Sequence, residues 1–272
     1  VTTADKLQEA LASEDIDGKT IKLYDDIETE GLQLNGKNVA FDLNGKTLNT
    51  AKLEVKNSTV VFRDSSENGE GTLATDGKVG VINAVNSNVT IENGRFVSNY
   101  NKAGSSGYAN VIQVRNSELT INGGYFENND NVGSYNRLIY ANSYSTTEKT
   151  TITINGGEFV SHRNYGYIVS SDSGDRDANV EVVINGGKFK TTGLHSYLTN
   201  VKGSVVVNDC TFTATGNHTV FNIPKDSTVT VKGGTFSVNE NAYWDPSKAG
   251  LIFHNKTTGW TSVDGTLLVD PV

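Results

Sequence analysis

The residues of this chain that are able to do chemistry fall into three groups. The first is the loop Asp172-Ser-Gly-Asp175-Arg-Asp177. Spaced acids around a glycine offer the oxygen ligands that a hard cation such as calcium takes, so Asp172, Asp175 and Asp177 are the candidate metal ligands. No cofactor other than calcium is expected. With Arg176 beside them and His195 to carry a proton, the same acids are the best group for cutting a glycan. The pairs Asp25-Asp26 and Glu28 with Glu30 read as a surface turn.

The second group is nucleophiles and nitrogen ligands, and it is thin. His162, His195, His218 and His254 are scattered, whereas zinc needs three or four converging ligands. Cys210 stands next to Asp209, and a thiol is activated by positive neighbours, not by a carboxylate. It reads as a small buried residue. There is no Gly-x-Ser-x-Gly elbow and no phosphate-binding loop. The third group is aromatic: Tyr100, Tyr108, Tyr135, Tyr144, Tyr165 and Tyr167, with Tyr243 and Trp244 further on. They sit in stretches rich in Asn, Ser and Gly. Tyrosine gives rigid contact area and the small polar residues give adaptable hydrogen bonds, the composition of recognition surfaces. Aromatic faces also suit the C–H patches of sugar rings. These eight are the candidate binding residues.

What must position them is a repeat. Ile91-Glu-Asn-Gly-Arg-Phe96, Ile121-Asn-Gly-Gly-Tyr-Phe126, Ile154-Asn-Gly-Gly-Glu-Phe159 and Ile184-Asn-Gly-Gly-Lys-Phe189 follow one pattern. Val207-Asn-Asp-Cys-Thr-Phe212 and Val231-Lys-Gly-Gly-Thr-Phe236 continue it. Weaker copies end at Leu48, Leu73 and Leu267, so the terminal apolar residue returns at steps of 25, 23, 30, 33, 30, 23, 24 and 31 residues. Units of this size bury a core only against each other. Each has room for three short strands and no helix, as in Val111–Val114, Leu119–Ile121 and Tyr125-Phe126. Corners at Asn57-Ser58, Asn86-Ser87, Asn116-Ser117 and Asp226-Ser227, and at each Asn-Gly-Gly, use residues that accept a left-handed backbone.

Three strands per turn with corners in fixed places wind into a parallel β-helix of about nine coils. Phe96, Phe126, Phe159, Phe189, Phe212 and Phe236 should stack inside it. Asn122, Asn155, Asn185 and Asn208 should form an amide ladder at one corner. Thr3–Ala12 reads as an amphipathic helix capped by Thr3, with Leu7, Ala10 and Leu11 on one face, placed as a lid on the first coil. Leu267–Val269 reads as a terminal strand. The fold expected is all-β, a single domain, with residues 1–18 as the helical cap and 19–272 as coils and C-terminal cap. On these Asn-Gly-Gly-x-Phe units the chain resembles the right-handed parallel β-helix proteins of the pectin-lyase-like superfamily over about residues 20–270.

In such a fold, equivalent positions on successive coils become neighbours, so sites are sought by column. The outward position before each Phe carries Arg95, Tyr125, Glu158, Lys188, Thr211 and Thr235. That is one carboxylate between a tyrosine and a lysine, where glycoside hydrolysis uses a pair of acids. It reads as a solvated cross-strand ladder. The insertions are the stronger functional pointer: Ser98–Tyr108, Asn128–Tyr135, Tyr140–Thr147 and His162–Tyr167 decorate the middle coils.

The net charge of −8 argues against nucleic acid, whose phosphates need a basic footprint. No apolar run approaches the roughly 18 residues of a membrane span. One cysteine and no methionine fit an extracellular life and a processed chain. The function expected is a non-catalytic structural or adhesive module of a virion (phage) or bacterial cell surface, reading a glycan or another surface protein. The resemblance implies a side-by-side trimer as its assembly and keeps a polysaccharide lyase or glycoside hydrolase as the alternative.

Overall fold

A computed structural model describes residues 1–77, 80–100, 110–128, 137–143, 147–162, 166–171, 179–193, 196–215, 220–224, 226–238, 242–244 and 266–269. Short strands bounded by Gly and Asn corners alternate along the whole of it, and every described strand but Ala242–Trp244 pairs with its equivalent one coil away. Three sheets result. The first runs from Lys19–Lys22 to Thr266–Val269, and the third from Leu32–Asn35 to Phe221–Asn222, each parallel throughout. The second runs parallel from Ile27–Thr29 to Thr235–Val238 and is closed by Ala242–Trp244, which pairs antiparallel. The chain is thus an all-β, right-handed parallel β-solenoid with one α-helix near its N-terminus.

The eight strands of the third sheet close eight complete coils, and Thr228–Val231 with Thr235–Val238 begin another. The expected nine therefore needs correction, and the reason lies at Leu267. It pairs with Val229 in the first sheet, before a corner, whereas the other eight residues of the series lie in the second sheet. Inward aliphatics fill both sheets alike, so a bare Gly-Thr-Leu does not distinguish them. The series in the second sheet begins instead at Ile27, in register with Leu48.

Alternation explains the core. In Asn88–Ile91, Glu118–Ile121 and Thr228–Val231 the even members are buried aliphatics and the odd ones face out. The phenylalanines of the second sheet lie in one register from Phe96 to Phe236, all fully buried. Phe96, Phe126, Phe159 and Phe189 stack at centroid separations of 5.1, 4.6 and 4.8 Å with interplanar angles of 12°, 8° and 15°. Those separations match the rise of roughly 4.8 Å between paired strands, so ring stacking and strand pairing make the same demand. Phe41 and Phe62 of the first sheet lead into the stack, Phe62 meeting Phe96 edge-on at 5.9 Å.

The corners carry their own ladders. Asn208 donates its amide to Asn185 Oδ1 at 2.7 Å, Asn185 to Asn155 and Asn155 to Asn122, both at 2.8 Å. Asn122 donates to Glu92 Oε2 at 3.0 Å, so a carboxylate ends the series. At Gly157, φ is +108° and an added Cβ would stand 3.0 Å from the Gly124 carbonyl, which closes this corner to larger residues. At the opposite corner Asn57, Asn86, Asn116 and Asp226 adopt φ of 49°, 50°, 48° and 60°. The serines that follow form a second ladder: Lys37 N donates to Ser58 Oγ, Ser58 N to Ser87 Oγ and Ser87 N to Ser117 Oγ. Each hydroxyl in turn donates to the carbonyl two residues back.

Helix α1, Ala4–Ala12, lies against Ile27–Thr29 and Leu32–Asn35 with Leu7 and Leu11 buried. Its N-cap is Thr3, whose Oγ1 accepts from Lys6 N at 3.3 Å. Thr3→Ala should lower stability by about 1 kcal/mol, read by denaturant titration. No change would mean that docking of Leu7 and Leu11 alone holds the lid.

Candidate functional site

The corners are unequal. Between the first and second sheets, three residues suffice from the fourth complete coil onward, as at 92–94, 122–124 and 155–157. Around the third sheet the path lengthens in the middle coils. Thirteen residues separate Ser98 from Ile112 and eight separate Asn128 from Arg137, where two bridge Thr50 and Leu53. After the third sheet, seven separate Asn142 from Thr150 and nine separate Ser170 from Val180, where two bridge Arg115 and Glu118. The strands Arg137–Asn142 and Tyr167–Ser170 are therefore flanked by insertions on both sides.

Those strands depart from simple alternation. Leu138 with Ile139, and Ile168 with Val169, all join the core. The first residues of the strands, Arg137, Tyr167 and Tyr197, then share one register across three coils. Tyr167 and Tyr197 stack at 5.3 Å with an interplanar angle of 15°. The Arg137 guanidinium lies 4.2 Å from the Tyr140 ring centroid, and Asn142 Nδ2 donates to Tyr140 Oη at 3.3 Å. Arg137, Tyr140 and Tyr197 are mostly buried, and Tyr167 is half-buried. The result is a row of planar groups, aromatic and guanidinium, fixed on rigid strands between insertions.

A second cluster stands on the outer face of the second sheet. Arg95 and Tyr125 are in register, the guanidinium 4.3 Å from the ring centroid. Tyr125 hydrogen-bonds Glu127, and its phenol is pushed up to about 12 by burial together with the charge of Glu127. Glu127 also accepts from His162 Nε2 at 2.8 Å, while His162 Nδ1 meets the Thr192 hydroxyl at 3.1 Å. Both ring nitrogens are thus engaged by protein groups, and neither is left for a substrate. Glu158 and Lys188 extend the face in register with Tyr125. Chemically this is a closed hydrogen-bonded knot, not an open acid–base pair.

Of the binding residues expected from sequence, Tyr167 falls in the aromatic row. Tyr100 is buried at 6% exposure. Tyr243 and Trp244 belong to the antiparallel strand, opposite Ser237 and Phe236. Tyr108, Tyr135, Tyr144 and Tyr165 lie outside the described residues, as do Asp172, Asp175 and Asp177 with Arg176 and His195. Among the described residues no group of three or more His, Cys, Asp or Glu can hold a metal ion. Cys210 is buried, and burial aided by Asp209 pushes its thiol well above the usual range. Sequence reasoning missed Arg137 and Tyr197, although each stands one coil from Tyr167, and it took Tyr140 as the start of an insertion. It also missed Glu127, two residues beyond Tyr125 and on the same face. Comparison with protein-family models, curated proteins and solved structures finds no match to this chain.

Proposed function

We propose that this chain is a non-catalytic, extracellular module of a virion (phage) or bacterial surface that recognises a glycan on the flank of its middle coils. The observation that carries the reading is the Arg137–Tyr167–Tyr197 row, held in register by parallel strands between long insertions. Tyrosine faces accept the apolar faces of sugar rings, and a guanidinium donates in-plane hydrogen bonds to hydroxyls and carboxylates. A rigid row costs little conformational entropy on binding. The resemblance to pectin-lyase-like β-helices supports the setting at the level of fold alone.

A panel of acidic and neutral bacterial polysaccharides, run with calcium and with chelator, tests it. Binding without shortening of the polymer is expected. Tyr167→Ala and Tyr197→Ala should each weaken it about tenfold or more, the loss typical of a central aromatic anchor. Undiminished binding by both variants would remove this row as the site. The alternative, a polysaccharide lyase or glycoside hydrolase, rests on Asp172, Asp175 and Asp177 with Arg176 and His195. Chain shortening abolished by Asp175→Ala would establish it in place of the first.

A further inference from the structure

One column of the interior is polar for no reason the protein atoms supply. Along the inner face of the second sheet, two residues beyond each Phe, stand Ser98, Asn128, Ser161 and Thr191, in direct register on successive coils and all at 0% exposure. Ser98 Oγ, Asn128 Nδ2, Ser161 Oγ and Thr191 Oγ1 each lack a hydrogen-bond partner. Asn128 Oδ1 accepts from His162 N at 3.1 Å, which leaves the amide nitrogen over.

The same column is satisfied at its start. Thr50 Oγ1 donates to Lys52 O at 3.0 Å, and Thr75 Oγ1 donates to Ala51 O at 3.0 Å. Both bonds use the carbonyls of the two-residue turn 51–52. In the next four coils longer connections replace that turn, and the four groups have no such bond. One coil further the column becomes Ala214, which needs no partner. A buried hydroxyl or amide with none bears the full cost of its desolvation. Four in succession are not left unpaired when Ala serves the same position a coil away.

We propose that a file of ordered waters fills this corner, one in each of the three gaps between Ser98, Asn128, Ser161 and Thr191. Spacing supports it. Two hydrogen bonds of about 2.8 Å meeting at a water near the tetrahedral angle span about 4.6 Å, close to the roughly 4.8 Å between strands of adjacent coils. None of the four groups bonds its neighbour directly, and hydroxyls stacked at that separation are too far apart to do so. Each water then bonds the side chains above and below it. Asn110 Oδ1, 2% exposed, unpartnered and placed just before the third-sheet strand of the first of these coils, is a further acceptor for the file. A buried water makes two to four such bonds, so the site is adequate in polar groups.

The test is a sign. Thr191→Val and Ser161→Ala remove one hydroxyl each from the intact protein. If waters are bound there, Thr191→Val takes a partner from one of them and Ser161→Ala from two, and the melting midpoint falls by about 2–4 °C for the first and by at least that for the second. If the column is dry, each variant deletes an unsatisfied hydroxyl and the midpoint rises or holds, which overturns the proposal. Thr75→Val, whose hydroxyl is already bonded, should fall in either case and shows that the measurement resolves such a loss. A crystal structure supplies the second readout: density for three waters in register confirms the file, and empty gaps or directly paired hydroxyls refute it.

Discussion

Phe159→Ala is expected to cost about 3–5 kcal/mol of stability, the range for truncating a fully buried aromatic. Phe159 has no exposed surface and sits between Phe126 at 4.6 Å and Phe189 at 4.8 Å. Removing the ring takes two stacking contacts with it. The gap cannot collapse, because strand pairing on either side fixes the distance between Phe126 and Phe189. In a structure whose coils touch mainly their nearest neighbours, the damage also uncouples the coils before Phe159 from those after it. Denaturant unfolding of the variant should show a lower midpoint and a broadened transition. By contrast Tyr24→Ala, at a ring 58% exposed, should stay within about 0.5 kcal/mol. A loss at Phe159 no greater than that at Tyr24 would show that the aromatic stack is not where the stability lies.

Asp64→Asn should be the other severe substitution, at about 3 kcal/mol. Asp64 is buried at 4% exposure and collects Gly45 N at 2.8 Å and Ser66 N at 3.1 Å on one oxygen. Its other oxygen takes Gly71 N at 2.7 Å and Ser66 Oγ at 2.8 Å. Gly71 is glycine because a Cβ there would stand 2.6 Å from the Asp64 carboxyl carbon. An asparagine would turn an amide nitrogen against two of these donors. Burial raises the Asp64 pKa, but the donors from Gly45, Ser66 and Gly71 outweigh it and leave the carboxyl below its ordinary value. The folded-state pKa therefore lies under the unfolded value of about 3.9. The contribution of the carboxylate is fully present above that pH and is lost as pH falls through the folded value. The gap in stability between the parent protein and Asp64→Asn should be widest near neutrality and shrink in acid. A gap that does not change between neutral pH and pH 3 would disprove the assignment.

The fold was legible because one short motif specifies four things at once. In Ile154-Asn-Gly-Gly-Glu-Phe159 the Ile ends a strand of the first sheet, the Asn joins the ladder, the glycines make the corner and the Phe enters the stack. What recurs locally and is copied once per coil can be read without coordinates. Asn57-Ser58 and its copies were legible as corners, yet the serine ladder was not, since a hydroxyl bonding one coil down looks like any turn serine. Contacts that run diagonally across coils were less legible still. His162 reaches Glu127 across 35 residues of sequence, through a coil whose length depends on its insertions. Of the candidate site, Tyr167 was found because it stands in a Tyr- and Asn-rich stretch. Tyr197 was not, because it stands in a strand that reads as core, and Tyr140 was taken as the edge of an insertion although it lies inside Arg137–Asn142. The insertions themselves carry no period, so sequence places them on the solenoid without saying what they present.

Because the ladder bonds of all three sheets and of the Asn series run from one coil to the next, they point along the axis of the rod. A pull on the two ends therefore loads these rows in tension, not in shear. Each coil would come away by breaking its own few bonds before the next feels the strain. A sideways load, pressing on the flank where Tyr167 and Tyr197 stand, meets many coils at once and is shared among them. The same construction that is peelable from its tips is stiff beneath a body resting on its side.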